Sequence, residues 1–214
     1  MVKRIAVCVV IVVTATFSLS SCAAKAGMNE GIATYSLKVK DVSGENFLMA
    51  AALSGSEVNV FFYNRFLEYN TDLGLFGGFC VLDRKKNEGI LAMNLLGDKM
   101  ASRLTGEYYE RASTTNYSYE IQHSEEEMTI GDYTCRKANI TINGKNYEYW
   151  YCQSPDLSYL PTPFTFREIK GLPVMYRFEL NGMQFTLSLK DLKDRCERDF
   201  SLEIPNGYKE QGIE

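Results

Sequence analysis

The sequence predicts a single, mostly β domain of the α+β class, and three observations carry that expectation. Short stretches alternate apolar and polar residues with a period of two, turn signals separate them, and few segments carry helical spacing. Aromatic residues are abundant, with 14 Tyr and 12 Phe against one Trp, and such side chains suit a pleated surface. No Pro/Gly/Ser-rich linker, repeat or low-complexity run divides the 214 residues.

The elements follow in order. Ile32 to Val42 alternates Tyr35, Leu37 and Val39 with Ser36, Lys38 and Lys40, the mark of a half-buried strand. Ser43 is placed to cap a short helix from Glu45 to Leu53, and Gly55 stops it. Glu57 to Tyr69 reads as one long or broken strand, Gly77 to Leu82 as another, and Gly89 to Leu96 as a third ending at Gly97-Asp98. Asn116 to Gln122 alternates Tyr117, Tyr119 and Ile121 with polar residues. Ser154-Pro155-Asp156-Leu157 resembles a helix start with proline in the first turn, ended by Pro161 and Pro163.

Two hairpins dominate the C-terminal half. Asn143-Gly144 and Asn181-Gly182 each suit a two-residue turn with positive φ at both central residues. In the first, partners sum to 287, which sets Cys135 opposite Cys152 on the more polar face beside Trp150. In the second, partners sum to 363, which gathers Leu172, Val174, Tyr176, Phe178 and Leu180 with Met183, Phe185, Leu187 and Leu189 on one face. A sheet with one apolar face needs a helix, a second layer or a ligand to cover it. These nine residues are therefore the candidate ligand-facing set.

The N-terminus is a targeting segment. Lys3 and Arg4 precede an apolar run from Ile5 to Val13, too short for the ~20 residues of a spanning helix. Leu19-Ser20-Ser21-Cys22 closely resembles the bacterial lipobox, which implies removal of residues 1–21 and acylation of Cys22. Diacylglyceryl plus an N-acyl chain (palmitate or similar) anchors a protein stably on a membrane. Residues 22–30 are then a lipidated tether and residues 31–210 the folded body. The formal charge of −4 becomes −6 when Lys3 and Arg4 leave, with 21 cations against 27 anions. That balance opposes nucleic-acid binding. The tether lacks the acidic cluster that some surface-exported lipoproteins of Bacteroidota carry after the cysteine, and by that resemblance the anchor is expected in the outer membrane, facing the periplasm.

Cys8 leaves with the signal and Cys22 is the acylation site, so four cysteines remain. In an oxidising envelope an even set suggests two disulfides, with three possible connectivities. Register argues for Cys135–Cys152. Cys80–Cys196 follows by elimination, with two buried thiols as its alternative.

Beyond these patterns, Ile130-Gly131-Asp132-Tyr133-Thr134-Cys135-Arg136-Lys137-Ala138 is similar to the Gly-Tyr-x-Cys-x-Lys-Ala signature of Bacteroidota envelope proteins of the GLPGLI-like group. Tyr149-Trp150-Tyr151, Gly171-Leu172-Pro173 and Phe200 to Tyr208 follow in that group's order. Asp132, Cys152 and Val174 depart from its pattern. The resemblance covers roughly residues 125 to 210. It implies a fold like the LolA/LolB lipoprotein carriers: a curved antiparallel half-barrel covered by a few short helices around an apolar cavity. The helix at Glu45 to Leu53 and the Ser154 turn are its lid candidates.

No catalytic constellation emerges. The sequence has no nucleophile elbow, His-Glu-x-x-His or phosphate loop, and the sole His, His123, sits beside Ser124 and Glu125-Glu126-Glu127 in what reads as a surface turn. The three glutamates lack the spacing and Gly hinge of a calcium loop. Asn116-Tyr117-Ser118 and Asn139-Ile140-Thr141 match glycosylation sequons that carry no meaning in a bacterial lipoprotein. The expectation is a lipid-anchored, non-enzymatic protein without metal or cofactor, which binds or carries a lipid or acylated partner. The alternative is a structural or adaptor lipoprotein with a filled core.

Overall fold

A computed structural model describes residues 30–73, 76–106, 109, 118–130, 133–152, 166, 168–180 and 182–212. Among the described residues twelve strands form one open, curled sheet in the order β12-β6-β5-β4-β3-β2-β1-β11-β10-β9-β8-β7. They are β1 Glu30–Asp41, β2 Glu57–Tyr63, β3 Phe66–Leu73, β4 Phe76–Asp83, β5 Glu88–Leu95, β6 Asp98–Thr105, β7 Tyr119–Ile130, β8 Tyr133–Ile142, β9 Lys145–Cys152, β10 Leu172–Leu180, β11 Met183–Lys193 and β12 Lys209–Glu210. Two antiparallel meanders, β2–β6 and β7–β11, meet where β1 pairs with both β2 and β11.

Local turn chemistry explains most of the hairpins. Asn143 and Gly144 have φ of 51° and 76°, and Ile142 pairs with Lys145 across them. The stretch expected as one strand from Glu57 to Tyr69 is instead the β2–β3 hairpin, because Asn64 adopts φ 51° and turns the chain. Strand β6, absent from the sequence reading, forms because Leu96 and Gly97 both take positive φ while the Asn94 side chain accepts from the Gly97 N–H at 3.1 Å. Leucine rarely occupies such a position, so the turn was not legible.

The helix is shorter than expected. Helix α1 spans Phe47–Leu53 with Asn46 as its N-cap, and no side chain caps it. Ser43 does not fill that role, because the Asp41 carboxylate gathers the N–H groups of Ser43, Gly44 and Asn46 at 2.9–3.0 Å. Burial pushes the Asp41 carboxyl upward, and these donors outweigh it and hold it below its ordinary value. Among the described residues α1 is the one helix with more than a turn, where a few covering helices were expected. Nor does it cover the sheet: Phe47 and Leu48 are 71% and 81% exposed, and Ala50 alone is buried.

Candidate functional site

The inner face of the curl is the site the fold defines. Alternation delivers Ala33, Tyr35 and Leu37 from β1, Val58, Val60 and Phe62 from β2, and Ile140, Tyr149, Tyr176 and Leu187 from the other meander into one cluster. Tyr109, Phe166 and Ile169, from the β6–β7 and β9–β10 connections, join it. The Ser154 turn lies outside the described residues; Phe166 and Ile169, later in the same connection, belong to the inner cluster.

Of the nine candidate residues, Leu172, Val174, Tyr176, Phe178, Met183 and Leu187 are buried. Phe185 and Leu189 pack partly buried against the inner cluster, and the Leu180 side chain lies outside the described set. The 363 register holds from Met175–Ser188 to Leu180–Met183. Val174 departs from the expected face. Tyr151 pairs with Pro173 and Trp150 with Met175, so Val174 is the extra residue of a bulge and joins the outer cluster of Cys135, Trp150 and Cys152. Proline brings no N–H to the ladder, which makes the bulge the natural place for it. The freed Pro173 carbonyl accepts a 2.7 Å hydrogen bond from the Tyr35 hydroxyl.

The interior is aromatic and closely packed. Phe178 stacks on Phe185 at 4.9 Å, Tyr149 meets Phe166 edge-on at 5.5 Å, and Tyr35 meets Tyr176 edge-on at 6.3 Å. Burial pushes the Tyr35, Tyr149 and Tyr176 hydroxyls well above their ordinary 10.0, so they stay neutral donors. Tyr35 was read only as part of an alternating strand. Its role as the bridge between β1 and β10 needed a partner 138 residues away.

On the outer face Cys135 and Cys152 occupy one register pair, their sulfurs 2.6 Å apart as thiols. Burial, with Cys135 alongside, pushes the Cys152 thiol up. Cys80 lies in the inner cluster, where burial first and Glu68 second push its thiol up to about 12. Cys196 is buried on the segment after β11 and is held as a thiol, as Cys80 is. Cys22 lies outside the described residues.

His123 is not in a turn. It lies in β7 opposite Ala138 and shares a 3.2 Å hydrogen bond between Nδ1 and the Tyr151 hydroxyl. Glu125 and Glu126 fall within a β7 bulge, where Glu126 meets Lys137 at 2.9 Å. Among the described residues no group of three His, Cys, Asp or Glu is placed to hold a metal ion, and no helix is long and apolar enough to cross a membrane. Sequence reasoning also missed Glu68, whose buried carboxylate pairs with Arg198 at Nε (2.7 Å) and again at Nη2. The signal was absent, since the two are 130 residues apart.

The site and sheet define a sheet-rich protein with a closed aromatic inner face. The chain matches none of the protein families compared and no curated protein. It is similar to solved structures of PNGF-II. In the P21 crystal form the TM-score is 0.51 at 13% identity, over 86% of this chain and 32% of that one. In the C2 form the TM-score is 0.49 at 13% identity, over 86% and 31%. The chain thus spans about a third of the length of PNGF-II, and what the two share is the fold.

Proposed function

We propose that this chain is a non-enzymatic, lipid-anchored protein of the bacterial cell envelope, held by acylated Cys22 in the outer membrane and facing the periplasm. Its curled sheet serves as a half-barrel of the lipoprotein-carrier type that binds or carries a lipid or acylated partner. The observation behind this reading is the inner face itself: apolar side chains from both meanders converge there, joined by Tyr109, Phe166 and Ile169 from the connections. Connections can lift without unpairing strands, and a wide aromatic surface suits flexible apolar ligands.

A second reading draws on the burial of the same residues. Tyr35, Ile140, Leu172 and Leu187 are each no more than 1% exposed, which is the packing of a filled core. On that reading the protein is structural or an adaptor and acts through its surface. Native mass spectrometry of the whole chain, purified from an envelope fraction, separates the two. The carrier reading expects co-purified lipid and saturable uptake of a fluorescent fatty acid. Absence of both leaves the filled-core reading. An unacylated Cys22 in the intact mass would overturn the anchor independently.

A further inference from the structure

We propose that the protein carries one native disulfide, Cys135–Cys152, and that Cys80 and Cys196 remain thiols. The first half stands on geometry. Register pairing puts the two Cα atoms opposite each other across β8 and β9, and the two sulfurs already touch at 2.6 Å. Both side chains are buried in one small outer cluster with Trp150 and Val174, and Met128 and Met175 pack against it. Long apolar side chains pack over the cluster, and the nearby Lys137, 5.8 Å over the Trp150 ring, is committed to ion pairs with Glu126 and Glu148. A structural cross-link fits that setting and an exchanging redox centre does not.

The second half proposes thiols in place of the pairing reached by elimination. Cys80 points into the inner cluster with Tyr69 beside it. Cys196 belongs to the segment that crosses the outer face, where Arg198 lies 4.4 Å over the Phe61 ring. Phe61 alternates with the inner-face residues Val60 and Phe62 and so marks the opposite side of the sheet. A pleated layer separates the two sulfurs, and a disulfide has no reach through a sheet.

The chemistry is thiol–disulfide exchange. The Cys135 and Cys152 sulfurs lose one electron each and bond to one another. The disulfide of an exchange partner accepts both electrons, and its two sulfurs leave as thiols carrying the two protons. The partner is a disulfide of the glutathione or thiol-oxidase class. Because the finished cluster buries both sulfurs, exchange precedes the closure of Trp150 and Met128 over them. The envelope reading above matters here only as a source of oxidant, and a purified chain supplies its own test.

The whole chain is reduced and unfolded, refolded with oxidised glutathione, then unfolded again without reductant and alkylated. Peptide mapping is expected to show the Cys135 and Cys152 peptides joined, with a 2 Da loss relative to the reduced pair, and Cys80 and Cys196 both alkylated. Alkylation of Cys135 and Cys152 to the same extent as Cys80 overturns the cross-link. A Cys80–Cys196 linked peptide overturns the second half. The Cys80→Ser variant keeps the outcome readable: the Cys135–Cys152 linkage must persist in it, and its loss would mean the pairing is not fixed by the hairpin. Acylation of Cys22 bears on none of these outcomes, so failure of the anchor and failure of the disulfide remain distinct.

Discussion

The two meanders share one inner face but finish their outer faces differently. Over β2–β6 the chain covers itself. After β11, residues 196–208 cross the outside of the sheet: Arg198 pairs with buried Glu68, Phe200 stacks on Phe66 at 5.4 Å, and Leu202, Ile204 and Tyr208 pack on Ile90, Ala92 and Ala101. The crossing ends as β12, which pairs parallel to β6 and closes that edge. Over β7–β10 the described outer face carries ion pairs. Lys137 reaches Glu126 and Glu148, Arg177 reaches Glu148, and Lys145 reaches Glu179. Among the described residues a small buried cluster forms there around Cys135 and Cys152. An apolar outer face demands chain to cover it, whereas a polar one needs ion pairs for register and solubility rather than for stability.

The sharpest way to break this comparison is to attack what the halves have in common. Phe62→Ala and Tyr176→Ala, one from each meander, are each expected to cost about 4 kcal/mol, since both truncate a buried aromatic. Urea unfolding checks this. A cost confined to one meander would mean that the inner face is two cores rather than one.

The next effect belongs to the β7–β11 half alone. Cys135→Ser is expected to lower stability by about 3 kcal/mol in oxidised protein, from a loop closed across 17 residues, and by far less in reduced protein. Equal losses with and without reductant would reduce the pair to packing. In the covered half, Arg198→Ala should cost about 2 kcal/mol, because it leaves the Glu68 carboxylate buried without its cation. A neutral outcome would show that the outer crossing is held by its apolar residues only.

The smallest effect is expected at the solvated ladder. Lys137→Ala should shift the melting temperature less than Arg198→Ala does, and the shift should shrink in high salt. Its pH dependence has a definite sign. The hydrogen bond from Lys137 holds Glu126 below its ordinary 4.5, so that contribution is present above pH 4.5 and fades as pH falls through the lowered value. The same hydrogen bond raises Lys137 above 10.5, so its share is full below that pH and fades as pH rises through the raised value. A Lys137→Ala difference that is flat from pH 2 to 11 would contradict this; calorimetry across the range reads it.

Much of the second meander was legible because turn chemistry is local. Asn143-Gly144 and Asn181-Gly182 set the 287 and 363 registers, and those registers put Cys135 opposite Cys152 and assembled most of the apolar face. Val174 escaped because the bulge adds one residue between Pro173 and Met175 and turns that residue alone to the outer face, while Tyr176 and Phe178 keep theirs; Pro173 was the local sign of it. In the first meander the turns at Asn64-Arg65 and Leu96-Gly97 lack the favoured dipeptides, so β2–β3 merged and β6 went unseen.

By itself the amino-acid sequence determined the β character, the two C-terminal hairpins and most of their facing residues. All of these depend on residues within about 20 positions of each other, where side-chain period and φ preference act directly. The tertiary structure alone decided that β1 joins the meanders, that Tyr35 bonds to Pro173, and that residues 196–208 pack over one half of the sheet. It also placed Cys80 in the inner cluster and Cys196 two residues before Arg198, which lies over the Phe61 ring. Contacts separated by 100 residues or more are chosen by which apolar faces can bury each other. That choice is made by the folded whole and is not written in any single segment.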